Sequence, residues 1–569
     1  MAARLRDTRR ACAAVTMAMM EIQFLGGATT VTGSQYLLVT ERARVLIDCG
    51  MFQGSPNEAI RNRIPFAFDP TELDAVLLTH AHLDHCGLLP LLVKHGFTGP
   101  IHATAATIEL ATLVLLDSGR LHEEFAKREA RWERRHPDQV ASDDAKEAAD
   151  YRAAVELAAS GGGSRQAVGA VIADTTAASA VAGSDPDVAT DAVRGGGWPR
   201  DPEADLRAQP PYLQIDLDAP LYTANEAEHT FAQFRPLRYD REIEVATGIH
   251  ATFYDAGHIL GSAIIRLRVV DHEGGEERTI VCSGDLGRPA TPILRDPTVL
   301  RDADYVLVES TYGGREHEPG DEAIRVLAET VRMVAEADGV LLVPSFAIGR
   351  TQEVVWQLDR MIERGEIPLL PLYLDSPMAS KASDIYRRFP GYYDEQTAEL
   401  LRGGASPLDY PNQIVTNEAS ASKAIARAPR PYMIVASNGM LTGGRVVSHL
   451  RNLIDDPSAT ILFVGYQGEG TLGAHLQAGT TEVKLDGQMR RVRCQVRSIS
   501  GFSAHADEGE LLEWLGHFEA GKASGDPGYP RRVFLVHGDP EAQIALEPKV
   551  RDLGFATHVP YWHERVPLD

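Results

Sequence analysis

In the run "LLTHAHLDHCGLLP", four of the six residues from 80 to 85 carry groups that bind metal ions: His80, His82, Asp84 and His85. Imidazole and carboxylate together favour zinc over magnesium or calcium, with manganese or iron able to fill the same shell. Side chains two apart on an extended segment share a side, so His80 and His82 can reach one cation while Asp84 and His85, past the turn, reach another. Paired cations activate water and stabilise charge on a reacting oxygen, so hydrolysis is the chemistry this cluster would serve. Packing gives no reason to gather such groups, because they are buried only when paired.

A binuclear site needs further ligands from distant parts of the chain. "FYDAGHILGSA" offers His258 beside glycines, "TIVCSGDLG" offers Asp285 after an apolar run, and "RVFLVHGD" offers His537 in the same setting. Singly, each reads as a turn residue. Together they complete a shell, with Asp285 the natural carboxylate to bridge two cations. Cys49 and Cys86 flank these motifs and read as small buried residues, while His102, His122, His317 and His449 lack partner motifs and read as structural.

Strand ends must position these groups. "MEIQFLGGA", "SQYLLVT" and "ARVLIDCG" are short strand-like segments of a sheet that begins antiparallel, and the continuous apolar run "LDAVLLTH" suits a strand buried on both faces. From about 304 to 464 apolar runs alternate with helical periodicity, which predicts a parallel sheet with flanking helices. Ser345, Ser376 and Ser437 end three of those runs, and Arg350 and Arg445 follow two of them, as expected of a site that cradles phosphate beyond the carboxyl ends of strands. Residues 127–215 are rich in Ala, Gly, Asp and Ser and read as a linker or disordered insertion, with one short helix around "DDAKEAADYRAAVELAAS".

A chain of 569 residues with 44% hydrophobic content implies two or more domains. Its net charge of -24 argues against a nonspecific coat on nucleic acid but leaves room for a local basic cleft. No apolar run approaches the ~18–20 residues of a membrane span, and residues 1–19 read as a disordered extension ahead of the first strand. Five scattered cysteines fit reduced thiols and a cytoplasmic location.

The sequence resembles the β-CASP family of metallo-β-lactamase-fold ribonucleases, the bacterial and archaeal relatives of the nuclease subunit of the cleavage and polyadenylation specificity factor. "LIDCG" with Asp48, "THAHLDH", "GHILGS" and "SGDLG" resemble the four lactamase-fold motifs; "VESTYG" with Glu309, "GFSAHAD" with His505 and "FLVHGD" with His537 resemble the three that mark β-CASP members. The resemblance implies an αββα sandwich (residues 20–313 and 493–569) carrying an inserted α/β, Rossmann-like β-CASP domain (314–492), with the active site between them. It implies two zinc ions per chain, one held by His80, His82, His258 and Asp285, the other by Asp84, His85, Asp285 and His537. Asp48 would orient the cluster, and His505, steadied by Glu309, would act near the scissile phosphate. Ser345, Arg350, Ser376, Ser437, Arg445 and Ser503 would grip single-stranded RNA. The oligomeric state is open, with a homodimer considered.

Three other functions compete. A small-molecule metallohydrolase shares H-x-H-x-D-H but has no need of "GFSAHAD" or the inserted domain. DNA-directed β-CASP relatives carry valine where His537 stands here, and an inactive RNA-binding subunit would have lost ligands that this chain keeps.

Overall fold

The computed structural model describes residues 20–159 and 219–569, apart from positions 55, 466, 469, 486 and 520; the expectations for residues 1–19 and for the insertion beyond 159 lie outside them. The chain first lays down β1 (Glu21–Gly26), β2 (Gln35–Val39), β3 (Arg44–Ile47), β4 (Ala75–Leu77), β5 (Ile101–Thr104) and β6 (Phe234–Leu237). There follow β7 (Ile243–Ala246), β8 (Ile249–Asp255), β9 (Ala263–Val270), β10 (Glu277–Cys282) and β11 (Tyr305–Glu309). Next come β12 (Val340–Pro344), β13 (Leu372–Leu374), β14 (Gln413–Val415), β15 (Tyr432–Ala436), β16 (Ala459–Phe463), β17 (Glu482–Leu485), β18 (Gln488–Arg491) and β19 (Gln495–Ser498). The chain then returns as β20 (Arg532–Val536), β21 (Thr557–His558) and β22 (Glu564–Pro567).

Two seven-stranded sheets, β22-β1-β2-β3-β4-β5-β6 and β21-β20-β11-β10-β9-β8-β7, face each other. Between them pack Ile22, Phe24, Leu38, Val45, Ile265, Leu267 and Phe534, all buried. Helix Ala105–Glu133 covers the outside of the first sheet with Leu110, Val114 and Leu115. Helices Glu508–Gly516 and Pro540–Asp552 cover the second with Leu511, Leu515, Leu546 and Val550. This is an αββα sandwich. The first sheet begins antiparallel (β1-β2-β3) and turns parallel through β4 and β5. Parallel neighbours on both sides explain why β4 is buried at every position.

The third sheet, β14-β13-β15-β12-β16-β19, is parallel throughout, with Gly320–Glu336 and Arg350–Glu363 on one face and Arg445–Leu453 on the other. It is the α/β insert. Its last strand, Gln495–Ser498, lies past residue 492, so the chain leaves this sheet a few residues later than expected.

The segment 127–159 corrects the expectation of a linker with one short helix. Helix Ala105–Glu133 continues past residue 127, and Pro137–Ala159 forms a second helix of 23 residues. Ala, Glu, Lys and Arg favour helix, and neither Gly nor Pro interrupts residues 138–159. The periodic signal is weak because the segment is rich in Ala, which favours helix without marking a face. Tyr151 and Ala154 are buried there, and the helix packs against the turn Ile60–Arg63.

Candidate metal centre

The ends of β3 and β4 build the floor of the site. Asp48 follows β3 and accepts from Thr79 N (2.7 Å), Thr79 Oγ1 (2.8 Å) and His85 Nδ1 (2.8 Å). With Nδ1 committed to Asp48, His85 presents Nε2 to the centre. Thr79 Oγ1 also lies 3.1 Å from His80 Nδ1, and the Ala504 carbonyl 3.1 Å from His258 Nδ1. Thr311 Oγ1 holds His537 Nδ1 at 3.1 Å and itself donates to Glu309. Four imidazoles are thus each oriented through Nδ1 and turn Nε2 inward.

Two cages result. His80 Nε2 is 3.1 Å from His82 Nδ1, which is 3.2 Å from His258 Nε2. Asp285 Oδ2 stands 3.4 Å from His80 Nε2 and 3.6 Å from His258 Nε2. On the other side His85 Nε2 is 3.2 Å from both His537 Nε2 and Asp285 Oδ1, and Asp84 Oδ2 is 3.6 Å from His537 Nε2. Donor atoms about 2.0–2.2 Å from a small cation in a tetrahedral shell stand about 3.3–3.6 Å from one another. Both cages approach that spacing. Asp285 gives one oxygen to each, and its buried Oδ1 has no hydrogen-bond partner. Nitrogen lone pairs facing one another around such an oxygen fit a cation in each cage.

Electrostatics agree with ligation. Burial lowers His82 to about 4 and holds His80 and His258 well below the ordinary range, so these rings are neutral and keep a lone pair. Burial works against charge on Asp285, but His537, His85 and His80 hold its carboxyl well below the carboxylate range. His85 is the exception: burial opposes its charge, yet Asp285 and Asp48 raise it.

His505 sits at the rim. Its Nδ1 is 2.9 Å from Glu309 Oε2, and its Nε2 is 4.0 Å from Asp285 Oδ2. Glu309 is wholly buried and also accepts from Leu286 N at 2.6 Å. Burial opposes a charge on His505, but Glu309 raises it to about 9.

The expected phosphate residues divide. Arg350 and Ser503 line a cleft with Gly349 and His258. Ser345, Ser376 and Ser437 stand at the ends of β12, β13 and β15. Ser345 Oγ accepts from Thr351, and Ser376 caps helix Pro377–Arg388 while receiving the Ser437 hydroxyl at 3.0 Å. The Arg445 guanidinium is held by Asp375 Oδ1 and by the carbonyls of Thr416 and Asn417. Sequence reasoning missed Thr79 and Thr311; the signal was a hydroxyl residue directly before His80 and another two places after Glu309. Cys49 and Cys86 are buried free thiols, and the His449 ring is bonded to Asp375.

Three domain patterns match this chain: the metallo-beta-lactamase superfamily at residues 28–157, the Beta-Casp domain at 351–476 and the Zn-dependent metallo-hydrolase RNA specificity domain at 489–560. A ribonuclease of Thermus thermophilus is 33% identical over 549 residues, spanning 96% of this chain and all of the relative. The transcription termination factor FttA of Methanosarcina mazei is 29% identical, covering 93% of this chain and 69% of the factor. Its counterpart in Pyrococcus horikoshii is 28% identical over 95% of this chain and 70% of its own. With two thirds or more of each relative covered, and the sandwich and its parallel-sheet insert both present, the chain belongs to the β-CASP family of the metallo-β-lactamase superfamily, a family of divalent-metal hydrolases.

Proposed function

We propose that this chain is a zinc-dependent ribonuclease that hydrolyses phosphodiester bonds of single-stranded RNA. The observation that carries the reading is Asp285, whose two oxygens are divided between two ligand cages. His80, His82, His258 and Asp285 would hold one zinc, and Asp84, His85, Asp285 and His537 the other. Bound there, two zinc ions supply a water whose pKa falls towards ~7 and offset charge on the phosphate oxygens. The RNA assignment draws on the pattern of the RNA specificity domain and on the ribonuclease relative.

The remaining work falls to this chain's own residues. Water oxygen bonds to phosphorus as the water gives one proton up to solvent, the P–O3' bond breaks with its electron pair passing to O3', and His505 Nε2–H gives its proton to O3', leaving a 3'-hydroxyl and a 5'-phosphate; His505 regains its proton from solvent. Glu309 keeps that proton on Nε2 by holding Nδ1–H, and stabilises the charged ring. Asp48 and Thr79 fix the ring orientations beneath. Arg350 and Ser503, in the cleft beside His258, are the candidates to place the backbone phosphates. The chain has no described helix long and apolar enough to cross a membrane, and its free thiols fit a reducing cytoplasm.

Digestion of one RNA labelled separately at each end, with and without chelator and beside a DNA of the same sequence, tests the reading. Chelator-sensitive cleavage of RNA supports it, with mononucleotides from one end or internal fragments giving the mode. Preference for DNA, or indifference to chelator, contradicts it.

A further inference from the structure

The chain crosses between its two domains twice, and the crossings are laced together. The outgoing one leaves Glu309 at the end of β11 for helix Gly320–Glu336; the return leaves β19 and carries His505 towards helix Glu508–Gly516. Gly314 N donates to Glu508 Oε2 at 2.7 Å, Glu508 N to the Arg315 carbonyl at 3.1 Å, and His317 N to Asp507 Oδ2 at 3.2 Å. The His317 ring donates from Nε2 to the His505 carbonyl at 3.2 Å.

Glu318 makes the densest set of these contacts. Its Oε1 accepts from Ser500 N (2.6 Å) and Gly501 N (2.9 Å), its Oε2 accepts from the Ser500 hydroxyl, and its own N–H donates to Ser500 Oγ at 3.3 Å. From the opposite side Arg288 donates to the Gly501 carbonyl at 2.7 Å. A Cβ at Gly501 would stand 2.7 Å from Ala323 Cβ, so the turn lies directly against the first helix of the insert. Onward, Ser503 N donates to the Ser500 carbonyl at 2.7 Å and His505 N to Ser503 Oγ at 3.3 Å. An unbroken chain of bonds therefore links Glu318 to His505.

We propose that Glu318 is a positioning residue for His505: its carboxylate, fixed to the insert, sets the turn at residues 500–505 and hence the place from which His505 reaches the leaving oxygen. The inference rests on the reading of His505 as proton donor. Without that carboxylate the amides of Ser500 and Gly501 turn to water and the turn relaxes. Displacing a reacting group by about 1 Å can cost roughly 10²-fold in rate.

The test uses the full metal-loaded chain and two substrates, RNA and bis(4-nitrophenyl) phosphate. Nitrophenolate is a weak base that leaves with little help from an acid, whereas O3' needs a proton. Glu318→Ala is expected to lower kcat on RNA about tenfold or more with KM and metal content little changed, and to lower it far less on the nitrophenyl ester, as His505→Ala should. Glu318→Gln, which keeps one acceptor oxygen, should show the same bias at smaller size, and it serves if the alanine variant does not fold. Equal losses on both substrates for the Glu318 variants, with His505→Ala showing the bias, would overturn this inference alone. Absence of the bias in His505→Ala would overturn the proton-donor role and the inference with it.

Discussion

Asp285 and Asp375 look alike in sequence, since each follows an apolar strand and precedes a turn, in "VCSGDLG" and "LYLDSP", and both are buried. Their surroundings are opposite. Asp375 accepts from Thr416 Oγ1, Ser422 Oγ, Arg445 and His449, all between 2.5 and 2.7 Å, and although burial opposes its charge these donors hold its carboxyl well below the usual range. Asp285 has one oxygen with no geometrically satisfied hydrogen bond, and His80 and His258, which burial keeps neutral, turn Nε2 towards the other. An acid whose bonds are all met within the chain holds a domain together; one set among neutral imidazoles with an oxygen left unsatisfied fits a cation.

The largest effect separates these two acids by activity. Asp285→Ala should remove bound metal and abolish RNA cleavage together, because each cage loses the oxygen that Asp285 turns towards it. Elemental analysis and end-labelled RNA check this, and normal metal with normal turnover would erase the distinction. Asp375→Ala should do the reverse. Removing one partner of a buried, charged network costs about 3–5 kcal/mol, so denaturant unfolding should register the change while folded protein keeps its metal. Loss of metal with unchanged stability would place Asp375 in the wrong class.

Next in size is His505→Ala, expected to lose roughly 10²-fold or more on RNA while retaining metal. Metal loss would instead make His505 a ligand, as its place near Asp285 and Glu309 permits.

The smallest effect concerns a third acid, the half-buried Asp255, whose Oδ2 is buried. Burial raises its carboxyl to about 7, against the opposing Gly257 N–H and Arg295, and Oδ2 has no hydrogen-bond partner. A carboxyl raised in the folded state favours folding when protonated, and that contribution is lost as pH rises from the unfolded value of about 3.9 to the folded one. Asp255→Asn should therefore raise Tm more at pH 8 than at pH 5, by the equivalent of about 1–2 kcal/mol after allowance for relaxation. An equal gain at both pH values would show that the carboxyl does not titrate in this range.

What was legible in the sequence follows the same contrast. H-x-H-x-D-H is local, and four metal-binding groups in six positions have no structural use, so the centre of the site could be read directly. The role of a single Asp or Arg at a strand end depends on what other strands bring to it, and nothing near Arg445 in sequence shows that Asp375 and the Thr416 and Asn417 carbonyls surround its guanidinium. The parallel sheet of the insert announced itself through apolar runs alternating with helical periodicity, whereas the αββα sandwich came only from the resemblance carried by the motifs. Of the helix Pro137–Ala159 only the later part was expected, because an Ala-rich segment with Tyr151 and Ala154 buried among its described side chains gives propensity without a clear period. Nor could the lacing of Glu318 to residues 500 and 501 be read, since it joins two crossings distant in sequence.

The central claim is that Asp285 serves two metal ions at once. Metal titration into chelator-stripped protein, followed by elemental analysis and by RNA cleavage in parallel, tests it most directly. The account predicts that zinc binding saturates at two per chain and that cleavage, absent from stripped protein, returns as the second equivalent is bound. Full cleavage at one equivalent, or undiminished cleavage by the stripped chain, would contradict it.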